Sequence, residues 1–211
     1  MNLLDIFLLP KAVYGKLTEN RTILYIGILL VGIRNVVLNL GDSFLQYFLG
    51  KPQEILIFNA SVLILFIIII GIIDVVGFSV PMFDFFNLLK KREGDGGDKE
   101  DKPAGRVSPV MVMKVYIIAN LLVSPVDIPF YIWISGLGDA VLGPLQSTIV
   151  QILALAVFFW YYGIIVRGTN VFYRFKGVLR VLAVAAVLLY SSVLGTALGL
   201  IYQKGILALL K

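Results

Sequence analysis

Between Ile55 and Val80 the chain runs almost without interruption through apolar residues and glycine, and its centre, VLILFIIIIGIIDVVGF, carries a single charge at Asp74. A helix rises about 1.5 Å per residue, and a bilayer core of about 30 Å takes roughly 20 apolar residues to cross. A stretch of this length and purity is therefore expected to span a membrane. It also dictates what surrounds it, because the other apolar segments must pack as helices beside it. Only 15% of the 211 residues are charged and 59% are hydrophobic, whereas soluble domains carry about 25% charged residues. One bundle of spanning helices with almost no soluble domain accounts for both figures. The formal net charge of +5 then describes loops beside a membrane, not a nucleic-acid surface.

The expected fold class is all-α: an integral membrane bundle of five transmembrane helices preceded by a short amphipathic interfacial helix. The interfacial element occupies residues 1–20, with Leu3, Phe7, Val13, Tyr14 and Leu17 on one face and Pro10 breaking the run. Asn20 is an N-cap candidate for the first span, residues 22–40. The later spans are read at 55–81, 109–133, 142–166 and 177–202. Pro81 is taken as the end of the second. Pro125 and Pro129 are expected to make the outer third of the third span irregular and protein-facing. Residues 88–107 hold six basic and five acidic residues with four glycines, and are read as a mobile cytoplasmic loop. The amino-terminal stretch lacks the basic flank of a secretory signal peptide.

Threading follows from lysine and arginine counts. Three precede the first span (Lys11, Lys16, Arg21), Lys51 follows it, and six lie between Lys90 and Arg106. None follows the third span, and Arg167, Arg174 and Lys176 follow the fourth. The alternation puts the N-terminus and the loops at 88–107 and 167–176 in the cytoplasm and the C-terminus outside.

The chain has no cysteine and no histidine, which removes disulfides, thiolate nucleophiles, imidazole bases and the usual zinc sites. No catalytic residue, metal ligand or cofactor is expected. Arg34, Asp74, Lys114 and Asp127 lie inside spans, where each charge costs about 2.5–3.5 kcal/mol on insertion scales. They form either a polar pathway or two ion pairs that lock helices together, and the sequence favours the second: Arg34 with Asp127 in the outer half, joined by Gln151, and Asp74 with Lys114 in the inner half. Arg167, Arg174, Lys176 and Arg180 are expected to meet anionic lipid or a partner at the inner leaflet. Ser191, Gly195 and Gly199 recur every fourth residue and are read as a face for close helix packing. Gly136-Leu137-Gly138-Asp139 fits the GxGD motif of intramembrane aspartyl proteases, a remote alternative, since a second aspartate at the same depth is not evident.

Three stretches, IFLLPKAVYGKLTENRTILYIGILLV, VYIIANLLVSPVDIPFYIW and FFWYYGIIVRGTNVFYRFKGVLRVLAVAAVLL, together resemble the Ypt-interacting-protein (Yip) domain family of five-span membrane proteins. The resemblance covers nearly the whole chain and points to its compact prokaryotic members, in the cytoplasmic membrane. It implies a non-enzymatic protein acting as scaffold or adaptor for another membrane complex. The expected partners are membrane lipids and another membrane protein or a second copy of the chain. Binding of Rab-type GTPases, known for eukaryotic members, is not expected without their long cytoplasmic N-terminal region. The resemblance assigns no role to the 93–106 insertion. The alternative function is transport of a small solute or ion along the intramembrane charges.

Overall fold

The computed structural model describes residues 5, 7–40, 43–94, 107–136 and 143–210. Among them every regular element is helical. The elements are α1 (Lys11–Gly15), α2 (Arg21–Leu40), α3 (Ser43–Phe48), α4 (Gln53–Gly94), α5 (Pro109–Gly136), α6 (Pro144–Tyr173) and α7 (Gly177–Ile201). A π-helical turn over Tyr202–Ile206 and a last turn at Leu207–Leu209 continue α7. Five of these helices, α2, α4, α5, α6 and α7 with its continuation, are long and apolar enough to cross a membrane.

α2 begins where the amide of Thr22 donates to the side-chain oxygen of Asn20 at 2.9 Å, the bond that an N-cap supplies. α4 is the axis of the bundle. It holds 42 residues and is about 63 Å long at ~1.5 Å per residue. Pro81 lies inside it, so the span does not end there, and the helix continues through residues 88–94. Proline removes an amide and displaces the carbonyl four residues earlier, here that of Gly77. The Tyr190 hydroxyl of α7 donates to that carbonyl at 2.7 Å, so the freed acceptor is satisfied from a neighbouring helix. The remaining part of the expected mobile loop, 95–106, lies outside the described residues.

α5 likewise continues through Pro125 and Pro129 to Gly136, with both prolines on the exposed face. The expected irregular, protein-facing outer third is a regular helix instead, since prolines turned away from the other helices leave the packed face undisturbed. α6 runs on to Tyr173, well past the expected end at 166, and only Arg174, Phe175 and Lys176 link it to α7. Arg174 takes a left-handed conformation, φ 50°, and its amide caps the helix on the Asn170 carbonyl.

The closest helix crossing is between α2 and α4. A Cβ on Gly32 would run into the carbonyl oxygen of Ile67, and a Cβ on Gly71 into that of Ile28. The two backbones touch, as small residues allow between spanning helices. Gly195 and Gly199, the expected packing stripe, have nothing within 4 Å of a Cβ. They hold space open and do not bring helices together.

The amino-terminal segment is strapped along α6. Asp5 pairs with Arg167, the Trp160 indole donates to the Phe7 carbonyl, and the Tyr14 hydroxyl donates to the Leu8 carbonyl at 2.9 Å. Tyr14 is fully buried and packs on Gly168, where a Cβ would meet its ring at 2.8 Å. Burial pushes its phenol up to about 12, against the opposing pull of Arg167, so the hydroxyl stays a donor at neutral pH. The face expected for the interface is divided: Tyr14 enters the core while Phe7 and Val13 are exposed.

Candidate functional site

Polar side chains from α2, α4, α5 and α6 join in one connected network inside the bundle. Asp74 is 4% exposed and stands at the middle of α4. One carboxyl oxygen accepts from the Asn35 amide at 2.6 Å, and the other accepts from the Tyr116 hydroxyl at 2.6 Å. Tyr116 stacks on Phe78, with ring centroids 4.2 Å apart. Asn120, one turn along α5, donates to the Tyr161 hydroxyl at 3.2 Å and accepts from a guanidinium nitrogen of Arg34 at 3.0 Å. A second guanidinium nitrogen of Arg34 pairs with Asp127.

Helical periodicity selects these partners. At about 100° per residue, Asn120 lies about 40° and Asp127 about 20° from the direction of Tyr116, so the three share one face of α5. Lys114 is two residues before Tyr116, about 200° around the helix, and faces away from Asp74. Its ammonium donates to the Thr18 carbonyl of the amino-terminal segment. The expected Asp74–Lys114 pair is therefore replaced by neutral donors to Asp74 and a backbone acceptor for Lys114. Gln151, expected beside Arg34 and Asp127, lies on the exposed face of α6 and is absent from the network.

A cavity of about 250 Å³ opens against this network. Each of the five long helices contributes to its wall: Arg34 and Asn35 from α2, Asp74 from α4, Tyr116 from α5, Tyr161 from α6, and Ser191 from α7. Gly195 and Gly199 line it too, and Tyr202 closes it at the π-helical turn. Tyr202 is 2% exposed, and its hydroxyl makes no hydrogen bond among the described residues. A second cavity of about 310 Å³ lies beyond Arg34, with Asp127, Phe130 and Tyr131 in its wall. Arg34, Tyr161 and Tyr162 line both, and Asp127 lines only the second.

The basic residues expected at the inner leaflet separate. Arg167 sits within α6 with its charge held by Asp5, while Arg174, Lys176 and Arg180 are exposed. Asp139 of the GxGD motif lies outside the described residues. The aspartate nearest to it that is described in α5, Asp127, is bound to Arg34. Among the described residues no group of three or more acidic side chains is placed to hold a metal ion.

Asn35, Tyr116, Asn120, Tyr161 and Tyr202 were not expected at the site. Asn35 and Asn120 are amides within apolar helices, which marks them as polar residues needing a partner in a spanning segment. The tyrosines carry no such mark, because aromatic residues are ordinary in spans and at their ends. No model of a known protein family, no curated protein and no solved structure matches the chain.

Proposed function

We propose that this is a non-enzymatic integral membrane protein that binds a small polar solute within its helix bundle, as a transport-type component. The observation that carries this reading is the polar cavity to which all five long helices contribute. A bundle that serves only as a platform gains nothing from a polar hollow inside it, since burying Asp74, Asn35 and Asn120 costs stability unless every group is matched. The cavity therefore favours the solute-binding reading over the scaffold and adaptor reading that the Yip-type resemblance implies. We retain from that resemblance the compact five-span plan in a cell membrane, with a cytoplasmic N-terminus and its amino-terminal segment at the inner surface.

The test uses the absence of cysteine. Gly195→Cys introduces a thiol where a Cβ meets nothing within 4 Å. In native membranes it is expected to react with methyl methanethiosulfonate, a small neutral reagent soluble in water, at a rate near that of an exposed thiol at Gln203→Cys. A Gly195→Cys thiol that stays unreactive in membranes yet reacts after denaturation overturns the reading, because the cavity is then sealed from water.

A further inference from the structure

The formal charges of the polar interior do not balance. Arg34 supplies one positive charge, and two carboxyls, Asp74 and Asp127, stand against it. Asp127 takes the guanidinium in a direct pair. Asp74 receives only neutral donors, the Asn35 amide and the Tyr116 hydroxyl. Lys114, the nearest lysine along α5, is turned to the Thr18 carbonyl. A carboxylate accepts about four hydrogen bonds, so Asp74 retains two lone-pair directions after these two bonds.

The wall around that carboxyl is aromatic. Tyr116, Tyr161, Tyr162 and Tyr202 all line the cavity, and Tyr202 brings a buried hydroxyl with no partner among the described residues. Aromatic faces attract cations, most strongly where water is excluded, and a ring of them is the usual receptor for ammonium groups. A volume of about 250 Å³ exceeds what a bare ion fills, given roughly 30 Å³ for one water.

We propose that the cavity binds a small organic monocation of the ammonium class, with its charge on Asp74, its alkyl groups among the tyrosines, and Tyr202 as a hydrogen-bond partner. This rests on the solute-binding reading above and assigns the solute its chemical class. Arg34 does not repel such a ligand strongly, because its charge is already neutralised by Asp127. The same arrangement disfavours anions, which would face the Asp74 carboxyl in the same wall.

The Gly195→Cys thiol tests the proposal with reagents that differ in charge. Aminoethyl methanethiosulfonate, a cation, is expected to react at least tenfold faster than the anionic sulfonatoethyl reagent after correction for their intrinsic rates, since Arg34 is held in a direct pair by Asp127 while Asp74 meets only neutral donors, and a net local field of one sign raises local rates by about 10- to 1000-fold. Asp74→Asn is expected to abolish that preference while leaving the neutral reagent's rate within about twofold. A second measurement keeps Asp74 intact: ethylammonium or tetramethylammonium at millimolar concentration is expected to slow the neutral reagent several-fold, with ethanol and sodium chloride at the same concentration inert. Equal rates for cation and anion, or no protection by either ammonium, overturn the ammonium assignment. In that outcome an undiminished neutral rate still supports the solute-binding reading, so the two failures are separable.

Discussion

Arg34 reaches across the bundle to bond two residues of α5, Asn120 and Asp127. The side chains of the Arg34–Asp127 pair are mostly buried, with 15% and 22% of their surfaces exposed. Removing one member leaves the other charge stranded in an apolar setting, which typically costs about 3–5 kcal/mol, whereas removing both is far milder. We therefore expect Arg34→Met and Asp127→Asn each to lower the thermal unfolding temperature in detergent markedly, and the double variant to recover most of the loss. Additive losses would mean that the two charges do not interact. The same double-variant logic applied to Asp74 and Lys114 is expected to give additivity, because Lys114 bonds the Thr18 carbonyl and shares no partner with Asp74.

At the scale of elements, α4 organises the bundle through two backbone features. The first is its crossing with α2. Gly71→Ala places a methyl group against the Ile28 carbonyl, and Gly32→Ala places one against that of Ile67. Neither carbonyl can move without parting the helices, and overpacking of this kind costs about 1–3 kcal/mol or more. Each substitution is expected to destabilise by about 3 kcal/mol, measured by unfolding in detergent, while Gly195→Ala, facing open space, is expected to be nearly silent. The second feature is the repaired defect at Pro81. Tyr190→Phe leaves the Gly77 carbonyl without its hydroxyl donor and is expected to cost about 1–3 kcal/mol. In a Pro81→Ala background the restored amide can bond that carbonyl, so the cost of Tyr190→Phe is expected to fall below about 1 kcal/mol. An undiminished cost in that background would show that the hydroxyl stabilises the helix in some other way.

For the whole molecule, five helices long and apolar enough to cross a membrane allow two orientations. We propose from the alternation of lysine and arginine along the chain, read by the positive-inside rule, that the N-terminus is inside. Single cysteines at Gly96 and Gln203 distinguish the two orientations. Gln203→Cys is expected to react with a membrane-impermeant maleimide in intact cells, and Gly96→Cys only after the cells are opened; the reverse pattern would invert the threading. In either orientation Arg34, Tyr161 and Tyr162 are shared between the walls of the two cavities.

Apolar length determines the number of helices long enough to cross a membrane, because no short-range detail competes with roughly 20 residues that water rejects. The residues that pay the burial penalty were legible for the same reason: Arg34, Asp74, Lys114 and Asp127 stand out against an apolar background. The ends of the second, third and fourth spans were not. Pro81 looks like a terminator locally, but Tyr190, 109 residues later in the sequence, takes the carbonyl that the proline displaces. Prolines at 125 and 129 were misleading in the same way, since their effect depends on which face they occupy. Partner choice also belonged to the tertiary structure. Sequence depth placed Lys114 beside Asp74, yet a rotation of about 200° between residues two apart gave that place to Tyr116. The glycines show the difference most plainly. Gly195 and Gly199 carry the regular spacing of a packing motif and border a cavity, while Gly32 and Gly71 lie in separate helices and form the tightest crossing. Spacing within one helix records which residues share a face; what that face meets is decided only when the other helices arrive.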